Sequence, residues 1–323
     1  MPKLSSVVAI ISGVALNLGT GQVAAQYRGA SFEVVEPFVS GQDIPESVTT
    51  DRQGNVYVSV GSSILQRASD GSVAVFATLP LPIFALGVKV GPDGCVYNAS
   101  TSLSQVEGAF VWRTCQAGAV EVFAALDPSG GPNDLAFDAD GNLFVTDPVL
   151  GRVWKIDPYG APEVFAEHAL LQGDPADPAL LFQPLGVNGI AFDHRKRNLY
   201  LSNTDRGSVL RIRLHSRGHW PSVFAQDPAL RGADGIAFDQ TGNLFVTVNA
   251  RDALVVVGRS GTVTEVAQAG LLDAPSSIAF LPSPGGRGRF YLTSSAFSRT
   301  LGLQPGTPQP ALLSGQATRR AAP

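Results

Sequence analysis

Residues 133–147, NDLAFDADGNLFVTD, recur with small changes as NGIAFDHRKRNLYLSN from Asn188 and DGIAFDQTGNLFVTV from Asp234. Each copy runs from a polar residue through apolar or small positions to an Asp, a turn and an aromatic-rich strand. Looser copies begin at Glu46, Leu86 and Ser276, which makes six aligned segments. Their anchors lie 40, 47, 55, 46 and 42 positions apart by subtraction. Periods of this size, with several short strands and turn signals in each, mark the blades of a β-propeller.

In the third copy the strand-like runs are 134–137, 143–146, 152–156 and 163–166, joined by turn residues such as Asp140-Gly141-Asn142 and Pro158-Tyr159-Gly160. Leu143, Phe144 and Val145 are apolar in succession, as a strand must be when both of its faces are covered by neighbouring blades. The expected fold is therefore all-β: a six-bladed propeller of four-stranded blades. The sixth repeat lacks a good outer strand. Phe32–Val39, FEVVEPFV, precedes the first anchor and resembles the outer strands of other copies, so the N-terminal strand is expected to close the ring and protect its edges.

The chain has 323 residues, 44% of them hydrophobic, and 35 glycines, enough for a substantial core. The repeat fills most of it, which argues for one propeller over residues 26–304. Residues 305–323, rich in Pro, Gly, Ala, Gln and Arg, read as a flexible tail. Residues 1–25 read as an export signal: Lys3, an apolar run from Leu4 to Leu18, then Val23-Ala24-Ala25. The run falls short of the roughly 20 residues of a membrane span, so the mature protein is expected to be periplasmic or secreted and free of the membrane. A net charge of −4 argues against nucleic acid as a partner. Cys95 and Cys115 fall at facing ends of the second and third strands of the second repeat, which predicts a disulfide in an oxidising compartment; no Cys-x-x-Cys suggests metal or redox chemistry.

The anchor column reads Glu46, Leu86, Asn133, Asn188, Asp234, Ser276. Placed around one axis it becomes a ring. Glu46, Asn188 and Asp234 then offer two carboxylates and an amide oxygen to a divalent cation, a set that suits calcium, magnesium or manganese better than zinc or copper; calcium is expected, with magnesium, manganese or zinc as alternatives. Asn133 would complete the ring or hold a water or substrate. The competing reading is that Asn and Asp merely cap turns at strand starts. Asp147 and Asn203 end second strands on the same face and would stand behind the ring. His168, at the start of the long connection before Asn188, could approach the mouth; no His pair has metal spacing, and no Gly-x-Ser-x-Gly elbow is present. Asn98-Ala99-Ser100 is a glycosylation sequon.

With these residues in order and in repeat phase, the sequence resembles the senescence-marker-protein, gluconolactonase and luciferin-regenerating-enzyme-like propellers over about residues 31–300. Glu46 in PESVTTD, Asn188 in GVNGIAFD and Asp234 in ADGIAFD match the positions of that family's axial metal ligands, and Asn133 in GPNDLAFD matches a further axial Asn. The resemblance implies a monomeric enzyme holding one divalent cation and hydrolysing a small lactone or ester by a metal-activated water, with Asp234 as general base. Two departures are visible. Gly131 stands where sugar-lactone members carry an Arg, and Leu86 makes one side of the ring apolar. Together with Phe182 and the leucines of the long connection, they point to an apolar lactone or ester. The alternatives are a non-catalytic, NHL-like binding propeller and a propeller recruited to a non-hydrolytic biosynthetic step.

Overall fold

The computed structural model describes residues 27–80, 83–102, 109–180, 183–281 and 288–319; the expected export signal lies outside them. The described strands form six four-stranded antiparallel sheets. Five blades follow the chain from inside to outside, as in Leu135–Phe137, Leu143–Asp147, Arg152–Ile156 and Pro162–Glu167 of the third. Each innermost strand packs against that of the next blade, and Pro275–Phe280 packs against Pro45–Thr50, so the ring is closed. No helix among the described residues is long and apolar enough to cross a membrane.

The sixth blade is built from both ends of the chain. Its order is Tyr27–Pro37, Ala311–Arg319, Arg289–Ser294, Pro275–Phe280. The N-terminal strand is outermost, as expected, but the loose tail expected from Pro305 is corrected. Ala311–Arg319 is the third strand of the blade, with Leu313 paired to Leu292 on one side and Val34 on the other. Its composition misled because small residues suit the site: a Cβ on Gly315 would stand 2.1 Å from the Phe290 ring. Leu312, Leu313 and Ala317 are buried there.

One aromatic wedge repeats between blades. Tyr97 meets Phe123 of its own outer strand and Phe137 of the next blade, both at 5.0 Å. Phe144 does the same with Phe165 and Phe192 at 4.9 and 5.2 Å, and Tyr200 with Phe224 and Phe238 at 5.1 and 5.0 Å. These edge-to-face contacts add to the area they bury and account for the aromatic strand of the repeat. Its Asp is accounted for as well. Asp138 accepts from the Asp140 and Asn142 amides, both at 2.9 Å, and so locks the turn between the first two strands. Gly141 in that turn has φ +85°, whereas Lys196 takes the matching left-handed place in the fourth blade.

Around the axis a second device recurs. Ser59, Thr146, Ser202, Thr247 and Thr293, on the second strands, each donate a hydroxyl to the anchor carbonyl of the following blade: Leu86, Asn188, Asp234, Ser276 and Glu46. In four of them the same oxygen accepts an amide of its own inner strand, from Ser47, Asp134, Gly189 and Ser277. The second blade has Ala99 there instead, and the Gly87 amide reaches the Asn133 carbonyl directly at 2.8 Å. Register shifts fall at the anchors, between Pro45 and Ser47, Val187 and Ile190, and Ala233 and Ile236. A bulge re-aims the side chain it carries, and here it turns the anchors toward the axis.

The expected disulfide is present. Cys95 and Cys115 extend the pair Val96–Thr114, with their Cα atoms 4.2 Å apart. Asn98 of the sequon is fully buried and donates to the Gly87 carbonyl, so it is no glycan acceptor in the folded chain.

Close approach of successive blades sets a test. A Cβ at Gly189 would lie 2.3 Å from the Asp234 carbonyl oxygen. Gly189→Ala is expected to cost about 1–3 kcal/mol and to lower Tm by several degrees in calorimetry; a Tm equal to wild type would show that the blades do not meet there.

Candidate metal and substrate site

Five of the six anchors, Glu46, Leu86, Asn133, Asn188 and Asp234, line one cavity of ≈ 390 Å³ at an end of the axis. Ser276 does not: its hydroxyl donates to the Glu46 carbonyl at 2.7 Å and is spent on the ring itself. An adjoining space of ≈ 10 Å³ is bounded by Glu46, Asp134 and Asp234 together with Ser47, Ser276 and Ser277.

The polar side chains differ in what the protein gives them. Asp134 is satisfied, accepting from the Leu135 amide at 2.8 Å and, across the blade junction, from the Ile190 amide at 3.1 Å. Asn188 donates its Nδ2 to Thr204 Oγ1 at 3.2 Å, but its buried Oδ1 has no partner. Asn249 follows the same pattern. Its Nδ2 lies 3.4 Å from Asp234 Oδ2, and its buried Oδ1 has no partner. Buried oxygens without a donor are rare and call for a reason. Asn188 and Asn249 both line the cavity that Glu46 and Asp234 also line, so the donors available there are oxygens, two of them carboxylates. That chemistry fits a hard divalent cation.

Electrostatics points the same way. Desolvation first, and then the charge of Asp134, pushes the Glu46 carboxyl up to about 7. Desolvation also raises Asp234 well above the usual carboxylate range, helped by Glu46 and Asp134 and opposed by the Asn249 hydrogen bond. Asp134 is raised by burial and partly relieved by Lys89. Without a cation these groups resist ionising.

The residues expected behind the ring turn out to hold backbone. Asp147 accepts from the Gly131 and Leu150 amides, both at 3.0 Å, and fixes the Gly130-Gly131 segment that lines the cavity. Asn203 donates to the carbonyls of Leu170 and Gln172 at 3.0 and 3.1 Å. His168 is a correction. It caps the short turn Ala169–Leu171, its Nδ1 accepting from the Leu170 amide at 3.0 Å, packs near Trp220, and does not line the cavity. Phe182 lies outside the described residues.

The long connection divides in two. Leu171 is fully buried between blades with Leu170 packed on it, whereas Leu180, Gln183 and Leu185 line the cavity. The second half is pinned by Asp205, which accepts from the amides of Asp174, Ala179 and Leu185 at 3.0, 2.8 and 2.7 Å. Sequence reading missed Asp205, Asn249, Phe84 and the one-turn helix α1, Phe297–Thr300. Asn249 had a signal, since it directly follows a second strand as Pro148 and Thr204 do. Elsewhere, Asp93 lies with Cys95 and Cys115, but those sulfurs are bonded to each other and offer no thiolate.

The model of the SMP-30/gluconolactonase/LRE-like region matches residues 89–296. A comparison with curated proteins finds no match. Among solved structures, a gluconolactonase from Xanthomonas campestris is 18% identical, covering 92% of this chain and 93% of its own, with a TM-score of 0.64. Regucalcin from Agrobacterium tumefaciens, a calcium-binding protein, is 17% identical over 92% and 97% of the two chains, with a TM-score of 0.63. Virginiamycin B lyase from Staphylococcus aureus is 14% identical over 90% and 99%, with a TM-score of 0.59. Identities this low show a shared fold.

The raised carboxyls predict a pH dependence. Glu46 rises from 4.5 to about 7 on folding, so its protonated form favours the folded state. That contribution is complete below about 4.5 and is lost as pH rises through about 7. In chelator, Tm should fall across this window for wild type and fall less for Glu46→Gln. Equal slopes would show that Glu46 is not a buried, uncompensated acid.

Proposed function

The chain belongs to the SMP-30/gluconolactonase/LRE-like family, and we propose that it hydrolyses a cyclic ester with the help of one divalent cation held on the propeller axis. The observation that carries this reading is the pairing, in one cavity, of two raised carboxyls with two buried amide oxygens that no protein donor satisfies. A partner-binding propeller needs polar residues at its mouth, but it has no use for acids that burial keeps from ionising.

Glu46, Asn188 and Asp234 would hold the cation, with Asn249 as a further oxygen donor beside Asp234. Calcium is the favoured ion, because the donors are all oxygen and two carboxylates match its charge. When bound, it would supply Lewis-acid polarisation of the ester carbonyl. Asn133, which lines the same cavity, would donate its amide N–H to a substrate oxygen. Asp234 would be the general base, since a carboxylate beside the cation can also take a proton from the attacking water and return it to the leaving oxygen. The water oxygen bonds to the acyl carbon, the ring C–O bond breaks, and the leaving alkoxide takes a proton to give the open hydroxy acid. Asn249 steadies Asp234 through its Nδ2. We place this chemistry in the periplasm or outside the cell; the Cys95–Cys115 disulfide supports that compartment, together with the N-terminal sequence.

Elemental analysis after dialysis should find one equivalent of metal in wild type and none in Asp234→Ala, and added calcium should raise Tm in wild type alone. Asn249→Ala should weaken binding by about ten- to a hundredfold. Lactone hydrolysis should vanish with chelator and return with metal. Equal metal in wild type and Asp234→Ala would refute the ligand assignment, and chelator-insensitive hydrolysis would refute the role of the ion.

A further inference from the structure

The cavity has two unlike faces. Glu46, Asn133, Asn188, Asp234 and Asn249 make one of them polar. The other is mainly apolar, with Phe84, Leu86, Leu180, Leu185, Phe297 and Leu301, although Thr101, Ser102 and Gln183 also line the cavity. Among the described residues that line it there is no Arg, Lys or His. At Gly131, two residues before Asn133, a longer side chain would meet a neighbour. A Cβ on Gly131 would already stand 2.8 Å from Val149 Cγ2, and Val149 itself lines the cavity.

Both apolar walls are held in place by acids that are not part of the polar face. Leu185 and Ala179 hang from Asp205 through their amides. On the opposite side, Arg299 of α1 is clamped between Asp252, at 2.8 Å, and Asp273. Asp273 also accepts from the Gln309 amide at 2.8 Å. This clamp sets the short helix so that Phe297 and Leu301 face the cavity, although Leu301 stays 52% exposed at the mouth. A preformed pocket with apolar walls and a few convergent polar groups is the usual form of a small-molecule site.

From these observations we infer that the substrate is a neutral lactone or ester carrying an aliphatic or aromatic side chain, its ester group on the polar face and its side chain against Phe297, Leu301, Leu180 and Leu185. The inference rests on the hydrolase reading for the word substrate, but not for the chemistry of the ligand. A sugar lactone would press several of its hydroxyls against Phe84, Phe297 and Leu185, which offer no hydrogen bond for the water lost. A second anionic group would meet Glu46 and Asp234 with no basic residue to offset them. At roughly 30 Å³ per small-molecule unit, a cavity of ≈ 390 Å³ takes roughly a dozen non-hydrogen atoms. That is a lactone ring and a side chain of about six carbons.

The test uses the metal-loaded full chain and γ-lactones whose side chain grows from methyl to hexyl, with glucono-δ-lactone as the polar comparison. kcat/KM should rise about fourfold per added methylene, and all but the shortest should exceed glucono-δ-lactone. Leu301→Ser, at an exposed position that cannot unfold the blade, and Phe297→Ser should flatten the series while metal content holds. In parallel, the matching γ-lactams, which resist hydrolysis, should bind more tightly in calorimetry as the chain grows. A flat lactone series, or a preference for glucono-δ-lactone, overturns the inference, as do lactams whose affinity ignores chain length. Lactams that tighten with chain length while no lactone is hydrolysed would support the ligand class and defeat the hydrolase reading instead.

Discussion

A short hydroxyl, repeated around the axis, is the contact on which the remaining geometry depends. A Ser or Thr oxygen can accept and donate at once. On the second strand of a blade it accepts an amide from its own bulged inner strand and gives its proton to the anchor carbonyl of the next blade, as Ser202 does between Gly189 and Asp234. The bulge would otherwise leave an amide and a carbonyl unpaired near the centre of the molecule, at a cost on each. Satisfying them through a side chain frees the anchor residues to point inward. It also fixes how near successive inner strands come, which is why Gly87, Gly189 and Gly235 carry no side chain where a neighbouring carbonyl arrives. At the single junction that lacks the hydroxyl, a backbone amide from Gly87 makes the same bond to Asn133.

With the backbone satisfied in this way, the acids on the axis divide into two kinds. Asp134 spends both oxygens on amides of two blades and serves the ring. Glu46 and Asp234 receive no such compensation, and burial raises both. Folding therefore stores an electrostatic cost in these two residues that a cation would relieve. Binding free energy and stability are linked here: what the metal-free fold loses by holding the acids apart from water returns as affinity for the ion. The partnerless oxygens of Asn188 and Asn249 belong to the same arrangement, because an amide oxygen adds a ligand without adding to the repulsion between carboxylates.

What could be read from the sequence was whatever repeats. The aromatic wedge, the Asp-locked turns and the anchor column each recur in several copies, so alignment alone exposes them, and the strands of the third blade come within a residue of their expected limits. Features that occur once left no such trace. Ala311–Arg319 looked like a loose tail because a strand squeezed between two others beside Phe290 favours small residues, and small residues also mark disorder. His168 was drawn toward the mouth by its place in a long connection, but its Nδ1 is committed to capping a turn. Asp205 and Arg299 act on segments distant in sequence, and only the folded chain shows what they hold. The anchor column, by contrast, needed nothing beyond its phase in the repeat to be placed around one cavity.

This division has a consequence for how the site is built. The polar face comes from the repeat and shares its constraints: moving Asn188 or Asp234 would disturb the junctions that set the ring. Much of the apolar face comes from segments outside the repeat, Leu180 and Leu185 on one and α1 with Leu301 on the other, each attached by its own clamp. Asp205 holds one and Arg299 the other, and neither clamp passes through the axial hydroxyls. Side chains on these walls can therefore change in size or polarity without altering the oxygen-bearing side chains on the axis. A propeller organised this way keeps one set of axial oxygens while the shape of the cavity around them is decided elsewhere.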